Sequence, residues 1–241
     1  MKKLLSLLLC ELILLATPAQ AISFLVDKDI PQSFIFLPQP PQEGSLAFEL
    51  DKTTYQQTRE LRGSERWKQA IFDANVDANW PDFFKKALGF SFSQKNTPTI
   101  YALLSKIKED LSDSTAYVKI YYHRVRPFIY FGQKNVTCFP DDEEKLANNS
   151  SFPSGHTIYG WSTALILAEL FPKKKEAIFK RGYEYGQSRV ICGFHWQSDV
   201  NAGFIVAAAA VALFHNNHDF IKMLNEAKKE AAILTSSSSK P

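Results

Sequence analysis

The sequence predicts an all-α fold, a compact bundle of about eight or more helices. Apolar residues recur at three-to-four spacing in one stretch after another, the period of a helix with one buried face. No segment shows the period-two alternation of a half-buried strand. The scale agrees: 241 residues, 45% hydrophobic and 22% charged, with nineteen Phe, nine Tyr and four Trp, can bury one sizeable core in a single domain.

Residues 1–21 read as an export signal. Lys2 and Lys3 give a basic start, Leu4 to Ala16 an apolar stretch, and Ala19-Gln20-Ala21 a small-x-small cleavage pattern. Interrupted by Glu11, the apolar stretch falls short of the ~20 residues a bilayer span needs. Cys10 follows Leu9 rather than a small residue, unlike a lipid-attachment box. Cleavage is expected after Ala21, into the periplasm or the medium. Removing Lys2, Lys3 and Glu11 takes the formal charge from +3 to +2, too balanced for a nucleic-acid partner.

Residues 22–50 form a proline-rich arm holding Pro31, Pro38, Pro40 and Pro41, which interior helix positions reject. A helical domain then runs over residues 51–235. Helical spacing covers Thr54 to Asp73 and, after the break at Asn79-Trp80-Pro81, Trp80 to Leu88. Thr97 to Tyr122 is the longest stretch, with a buried stripe expected at Ile100, Leu103, Leu104, Ile107 and Leu111. Residues 127–153 read as a loop. Further helices are expected over Ser154 to Phe171, Lys173 to Arg189, His195 to His215 and Asp219 to Ile233, before a flexible tail at 236–241. The apolar run Gly203 to Phe214 is short, as a buried core helix is, so no stable membrane insertion is expected.

Three segments carry chemistry. Lys119 and Arg126 stand about two helical turns apart and share a face if one helix runs through both, with Pro127 ending it. Alone, that pair fits a solvated basic face with His123 and Arg124. Pro153-Ser154-Gly155-His156 opens a helix: Ser154 offers a cap oxygen and a hydroxyl, Gly155 lets backbone approach a ligand, and the first-turn N–H groups suit an anion. Ser188-Arg189 is followed by His195 and Asp199 at i and i+4, where a carboxylate can fix one imidazole nitrogen and free the other for attack. A metal among His156, His195 and Asp199 is disfavoured, because cations surround them and cations welcome an anion. The mature chain's cysteines, Cys138 and Cys192, suit either a disulfide or two buried thiols. The motifs bring the two segments together, which favours the bridge.

In order, Lys119, Arg126-Pro127, Pro153-Ser154-Gly155-His156, Ser188-Arg189, His195 and Asp199 match the signature of the acid phosphatases related to type 2 phosphatidic acid phosphatases, with every spacing intact. The surrounding residues, Gly182 to Gly193 and His195-Trp196-Gln197-Ser198-Asp199, resemble the secreted bacterial class A nonspecific acid phosphatases. The likeness runs from about Leu61 to the last helix. It implies a metal-free and cofactor-free phosphomonoesterase of broad range acting on small phosphate esters. His195 would be the nucleophile, Asp199 its orienting carboxylate and His156 the general acid and base. Lys119, Arg126, Ser154, Gly155 and Arg189 would bind the phosphate. Phosphotransfer to alcohols and a homo-oligomer are further implications of the likeness.

The rivals are a vanadium-dependent haloperoxidase, which shares these motifs but is usually a much longer chain, and a membrane lipid phosphatase, which would need several spans. A non-catalytic phosphate-binding protein would need the cations without a carboxylate-braced histidine.

Overall fold

The computed structural model describes residues 23–25, 33–76, 80–113 and 116–237. The export signal at 1–21 lies outside the described residues, as do 26–32 of the proline-rich arm and 238–241 of the tail. The helices are α1 Ser33–Phe36, α2 Leu46–Arg59, α3 Glu65–Ala74, α4 Lys85–Leu88, α5 Pro98–Asp113, α6 Ala116–Tyr122, α7 Pro127–Tyr130, α8 Glu143–Ala147, α9 Gly155–Leu170, α10 Lys175–Ile191, α11 Gln197–Phe214 and α12 His218–Ser237. No strand occurs among the described residues, so the fold is all-α as the periodicity predicts.

The centre is α9. Ile158, Ala164, Ile166 and Leu167 are fully buried, and α5, α10, α11 and α12 pack around it. A helix apolar on every side belongs in the middle of a bundle. On α5 the stripe Ile100, Leu103, Leu104, Ile107 and Leu111 is buried, as its spacing predicts. Helix α11 crosses α9 closely at its first turns: a Cβ on Gly203 would stand 2.8 Å from Thr157 Cβ and 3.0 Å from the Ser154 carbonyl. Among the described residues α11 alone is long and apolar enough to cross a membrane, and half of it is buried against the bundle.

Several boundaries differ from the spacing. The stretch Thr54 to Asp73 is two helices, because Ser64 caps α3 by accepting the Trp67 N–H, and the turn before it holds Gly63 at φ +79°. Ser45 caps α2 in the same way, through the Phe48 N–H, so the helical region begins upstream of residue 51. Within Thr97 to Tyr122 the described residues are helical over α5 and α6. The loop region 127–153 contains α7 and α8, and Glu143 organises it by accepting the N–H groups of Asn135, Val136 and Thr137. Helix α12 runs on to Ser237, into the stretch read as tail.

Cys138 and Cys192 form a disulfide, Cα to Cα 4.8 Å, and the Cys138 N–H donates to the Cys192 carbonyl at 2.9 Å. Loop and helix end are thus joined three residues before His195. Arg59 closes the same helix end by donating to the carbonyls of Val190 (2.7 Å) and Ile191 (2.5 Å). The chain then reverses at Gly193, φ +89°, a conformation L side chains rarely adopt.

Candidate active site

Three helix ends build the site. At the start of α9, Ser154 is the N-cap: its Oγ accepts the Thr157 N–H (3.4 Å) and hydroxyl (2.9 Å), and its own N–H donates to the Asp199 carbonyl (3.0 Å). That last bond ties the first turn of α9 to the first turn of α11. The Cβ side of Gly155 meets no protein atom within 4 Å and opens on a cavity. His156 follows at the edge of that cavity.

After α10, the N–H groups of Phe194 and His195 return to the Arg189 carbonyl at 3.2 and 3.3 Å. The sequence reading puts His195 and Asp199 on one helical face, which the structure corrects. His195 precedes α11, which starts at Gln197, and Asp199 occupies its third position. There Oδ2 accepts the Trp196 N–H at 2.9 Å, half of a capping box, and lies 3.3 Å from His195 Nδ1. The carboxylate therefore braces the imidazole from a helix cap.

Electrostatics assigns the tautomer. His195 Nε2 lies 3.3 Å from Arg126 Nη1, and a guanidinium can only donate. Nε2 is therefore the acceptor, and Nδ1 carries the proton toward Asp199. Burial, then the charges of Arg126, Lys119 and Arg189, hold His195 well below the ordinary imidazole pKa. Burial, then Arg189, His195, Arg126 and Lys119, does the same to His156.

The shared-helix account of Lys119 and Arg126 is also corrected. Helix α6 ends at Tyr122, residues 123–126 are irregular, and Pro127 begins α7 rather than ending the earlier helix. What brings the two cations together is the carbonyl edge of residues 146–150. Lys119 Nζ donates to Ser150 O at 2.6 Å, and Arg126 Nε donates to Leu146 O (3.0 Å) and Asn149 O (2.9 Å). Arg126 Nη1 also donates to Phe194 O at 2.9 Å. Burial, aided by Arg126, lowers Lys119 to about 7; burial brings Arg126 and Arg189 each to about 10. The Arg189 guanidinium is buried with Nε and Nη1 lacking a protein partner. Buried donors of that kind suit an anion.

The cavity holds about 470 Å³ and is lined by Gly155, His156, Tyr159 and Arg189, with Leu111, Phe139 and Leu146 on its apolar wall and Lys108, Asp142 and Lys145 also at its edge. Of the sequence-predicted site residues, Gly155, His156 and Arg189 line this cavity; Arg126, His195, Asp199 and Ser154 are joined to one another by the hydrogen bonds above, and Lys119 shares the Ser150 carbonyl with Arg126. Among the described residues no cluster of three His, Cys, Asp or Glu has metal-binding geometry.

Two buried groups escape the sequence reading. Arg124, there part of a solvated face, is 9% exposed and bridges Asp199 to Asp51, 73 residues earlier in the chain. Asp73 accepts from Arg181 and from Ser188 Oγ (2.5 Å), so the serine beside Arg189 serves a buried ion pair joining α3 to α10. No local spacing signals either contact.

Residues 99–222 match the PAP2 superfamily. A protein of Providencia stuartii named non-specific acid phosphatase is 45% identical over 213 residues, covering 88% of this chain and 85% of that one. One of Salmonella typhimurium with the same name is 41% identical over 200 residues (82% and 79%). An acid phosphatase of Zymomonas mobilis is 36% identical over 221 residues (88% and 83%). With the match spanning more than half of the sequence and relatives of this similarity aligning along most of it, the chain belongs to the PAP2 superfamily.

Proposed function

We propose that this protein is an exported acid phosphatase that hydrolyses phosphate monoesters through a phosphohistidine on His195, without a metal ion. The observation that carries the reading is the setting of the His195 imidazole: Nδ1 faces Asp199, Nε2 faces the Arg126 guanidinium, and the charges of Lys119 and Arg189 also act on the ring. The names of the relatives point the same way.

In the first step the Nε2 lone pair attacks phosphorus, the N–P bond forms and the P–O bond to the alcohol breaks. The leaving alkoxide takes a proton from His156, which lines the cavity. In the second step water attacks phosphorus, gives a proton to His156, and the N–P bond breaks to return neutral His195 and inorganic phosphate. Lys119, Arg126, Arg189, the Ser154 hydroxyl and the Gly155 N–H hold the three equatorial oxygens as charge spreads over them. An alcohol replacing water in the second step gives phosphotransfer. The mixed wall of Leu111, Phe139, Leu146, Lys108 and Lys145 favours a range of leaving groups over one.

The same burial that lowers both histidines supports acid operation. His195 stays nucleophilic as the pH falls, while His156 needs acid, or the negative charge of bound substrate, to gain its proton. The test is a panel of aryl, sugar and nucleoside phosphates with the purified mature protein at acid pH. Phosphate release across the panel, unchanged in EDTA, is expected. Activity lost in EDTA and restored by a divalent cation would overturn the metal-free mechanism.

A further inference from the structure

The geometry points to Arg124 and Asp51 as positioning residues that fix the orientation of Asp199 behind His195. This inference rests on the proposed roles of His195 and Asp199 and adds two residues that the signature motifs leave out.

Asp199 has two oxygens and three donors around them. Oδ1 accepts from Arg124 Nη1 at 2.5 Å, while Oδ2 accepts from the Trp196 N–H at 2.9 Å and faces His195 Nδ1 at 3.3 Å. A carboxylate held on one side alone can turn about its Cβ–Cγ bond and offer either oxygen. With Arg124 on Oδ1, only one orientation satisfies all three donors.

Arg124 is itself fixed. Nη2 donates to Asp51 Oδ2 at 2.7 Å and Nη1 also donates to Ser198 Oγ at 2.7 Å. Its guanidinium carbon stands 5.6 Å over the Trp196 ring. Its backbone N–H donates to Ser150 Oγ (3.0 Å) and its carbonyl accepts the Ser151 N–H (2.9 Å). Asp51 in turn accepts from the Ser198 N–H (2.9 Å) and the Ser198 hydroxyl (2.5 Å). The result is a closed relay, Asp51 to Arg124 to Asp199 to His195, from helix α2 to Nδ1 of the imidazole, the nitrogen opposite the one that attacks.

Stability alone accounts poorly for it. Arg124 is 9% exposed, Asp51 2% and Asp199 0%, and desolvating three such charges offsets much of their mutual attraction. An apolar contact would join α2 to α11 as well. What a planar guanidinium adds is direction, since one rigid fork reaches both carboxylates at set angles. A lysine keeps the charge but cannot bridge the two.

The experiment uses the full mature chain with Arg124→Lys and Asp51→Asn, each alone and combined with Asp199→Asn. It measures hydrolysis of p-nitrophenyl phosphate and competitive inhibition by inorganic phosphate. Arg124→Lys is expected to lower kcat about 10–100-fold while KM and phosphate inhibition stay within about three-fold, because Arg124 does not touch the anion. On top of Asp199→Asn the same substitution should cost less than about three-fold, as for residues acting through one another. Asp51→Asn, nearly isosteric, should follow that pattern with about a 3–10-fold loss. A loss undiminished in the Asp199→Asn background, or one that falls on KM, overturns the proposal. So does failure of both variants to fold, which would leave only a structural tie. His195→Ala run in parallel separates the two readings: an active His195→Ala removes the mechanism itself, whereas an inactive one with additive losses removes only the relay.

Discussion

At the scale of single residues, one physical cause recurs: burial beside other cations. It lowers Lys119 to about 7, so in the empty site the ammonium is charged below that pH and neutral above it. Binding of a phosphate ester should therefore weaken as the pH rises through about 7. The expected profile is a kcat/KM that falls on that alkaline limb, with the inflection removed in Lys119→Met. A flat kcat/KM from about pH 5 to 9 would contradict the assignment of Lys119 to the phosphate. His156 makes a second test. Replacing it with alanine should cost about 10²–10³-fold on a sugar phosphate, whose alkoxide needs a proton, and less than about 10-fold on p-nitrophenyl phosphate. Equal losses on the two substrates would remove the general-acid role. The roles proposed for these residues come from the sequence, because motifs name residue types. Those of Arg124 and Asp51 do not, because 73 residues separate them and only the folded chain brings a fork between two carboxylates.

At the scale of elements, the site depends on how closely α11 lies against α9. Gly203 allows the contact, with Ser154 O and Thr157 Cβ at 3.0 and 2.8 Å from where its Cβ would be. Gly203→Ala must push on the very turn that presents Ser154 and Gly155. It should cost about 1–3 kcal/mol of stability and shift the N–H groups proposed to hold the phosphate. Thermal unfolding and KM for p-nitrophenyl phosphate measure the two effects together. A variant with unchanged Tm and unchanged KM would show that the turn is not held by this contact. Elements also mark the limit of periodicity. The buried stripe of α5 follows directly from its spacing, whereas the division of 54–73 depends on Ser64 accepting one N–H, and a cap is a single hydrogen bond rather than a pattern. Lys119 and Arg126 teach the same lesson: the right pair came together through the carbonyls of 146–150, not through the helix face that the seven-residue separation suggested.

At the scale of the whole molecule, the bundle brings the start of α9, the end of α10 and the start of α11 together beside the loop edge 146–150, with α9 buried at the centre as their common support. The all-α class followed from the absence of period two. Of the long-range ties, the Cys138–Cys192 bridge was the favoured of two readings and forms, whereas the Asp73–Arg181 pair was no reading at all. These ties hold the loop that carries Cys138 and the end of α10 rigid, which keeps Arg189 and His195 at their stations. The central claim is that a phosphoryl group passes through Nε2 of His195. Its most direct measurement is a rapid alkaline quench of the enzyme turning over labelled p-nitrophenyl phosphate, followed by peptide mapping. The account requires an acid-labile, base-stable label on the peptide containing His195, absent together with turnover in His195→Ala. Turnover in that variant within about ten-fold of the unaltered protein, or label on another residue, would contradict it.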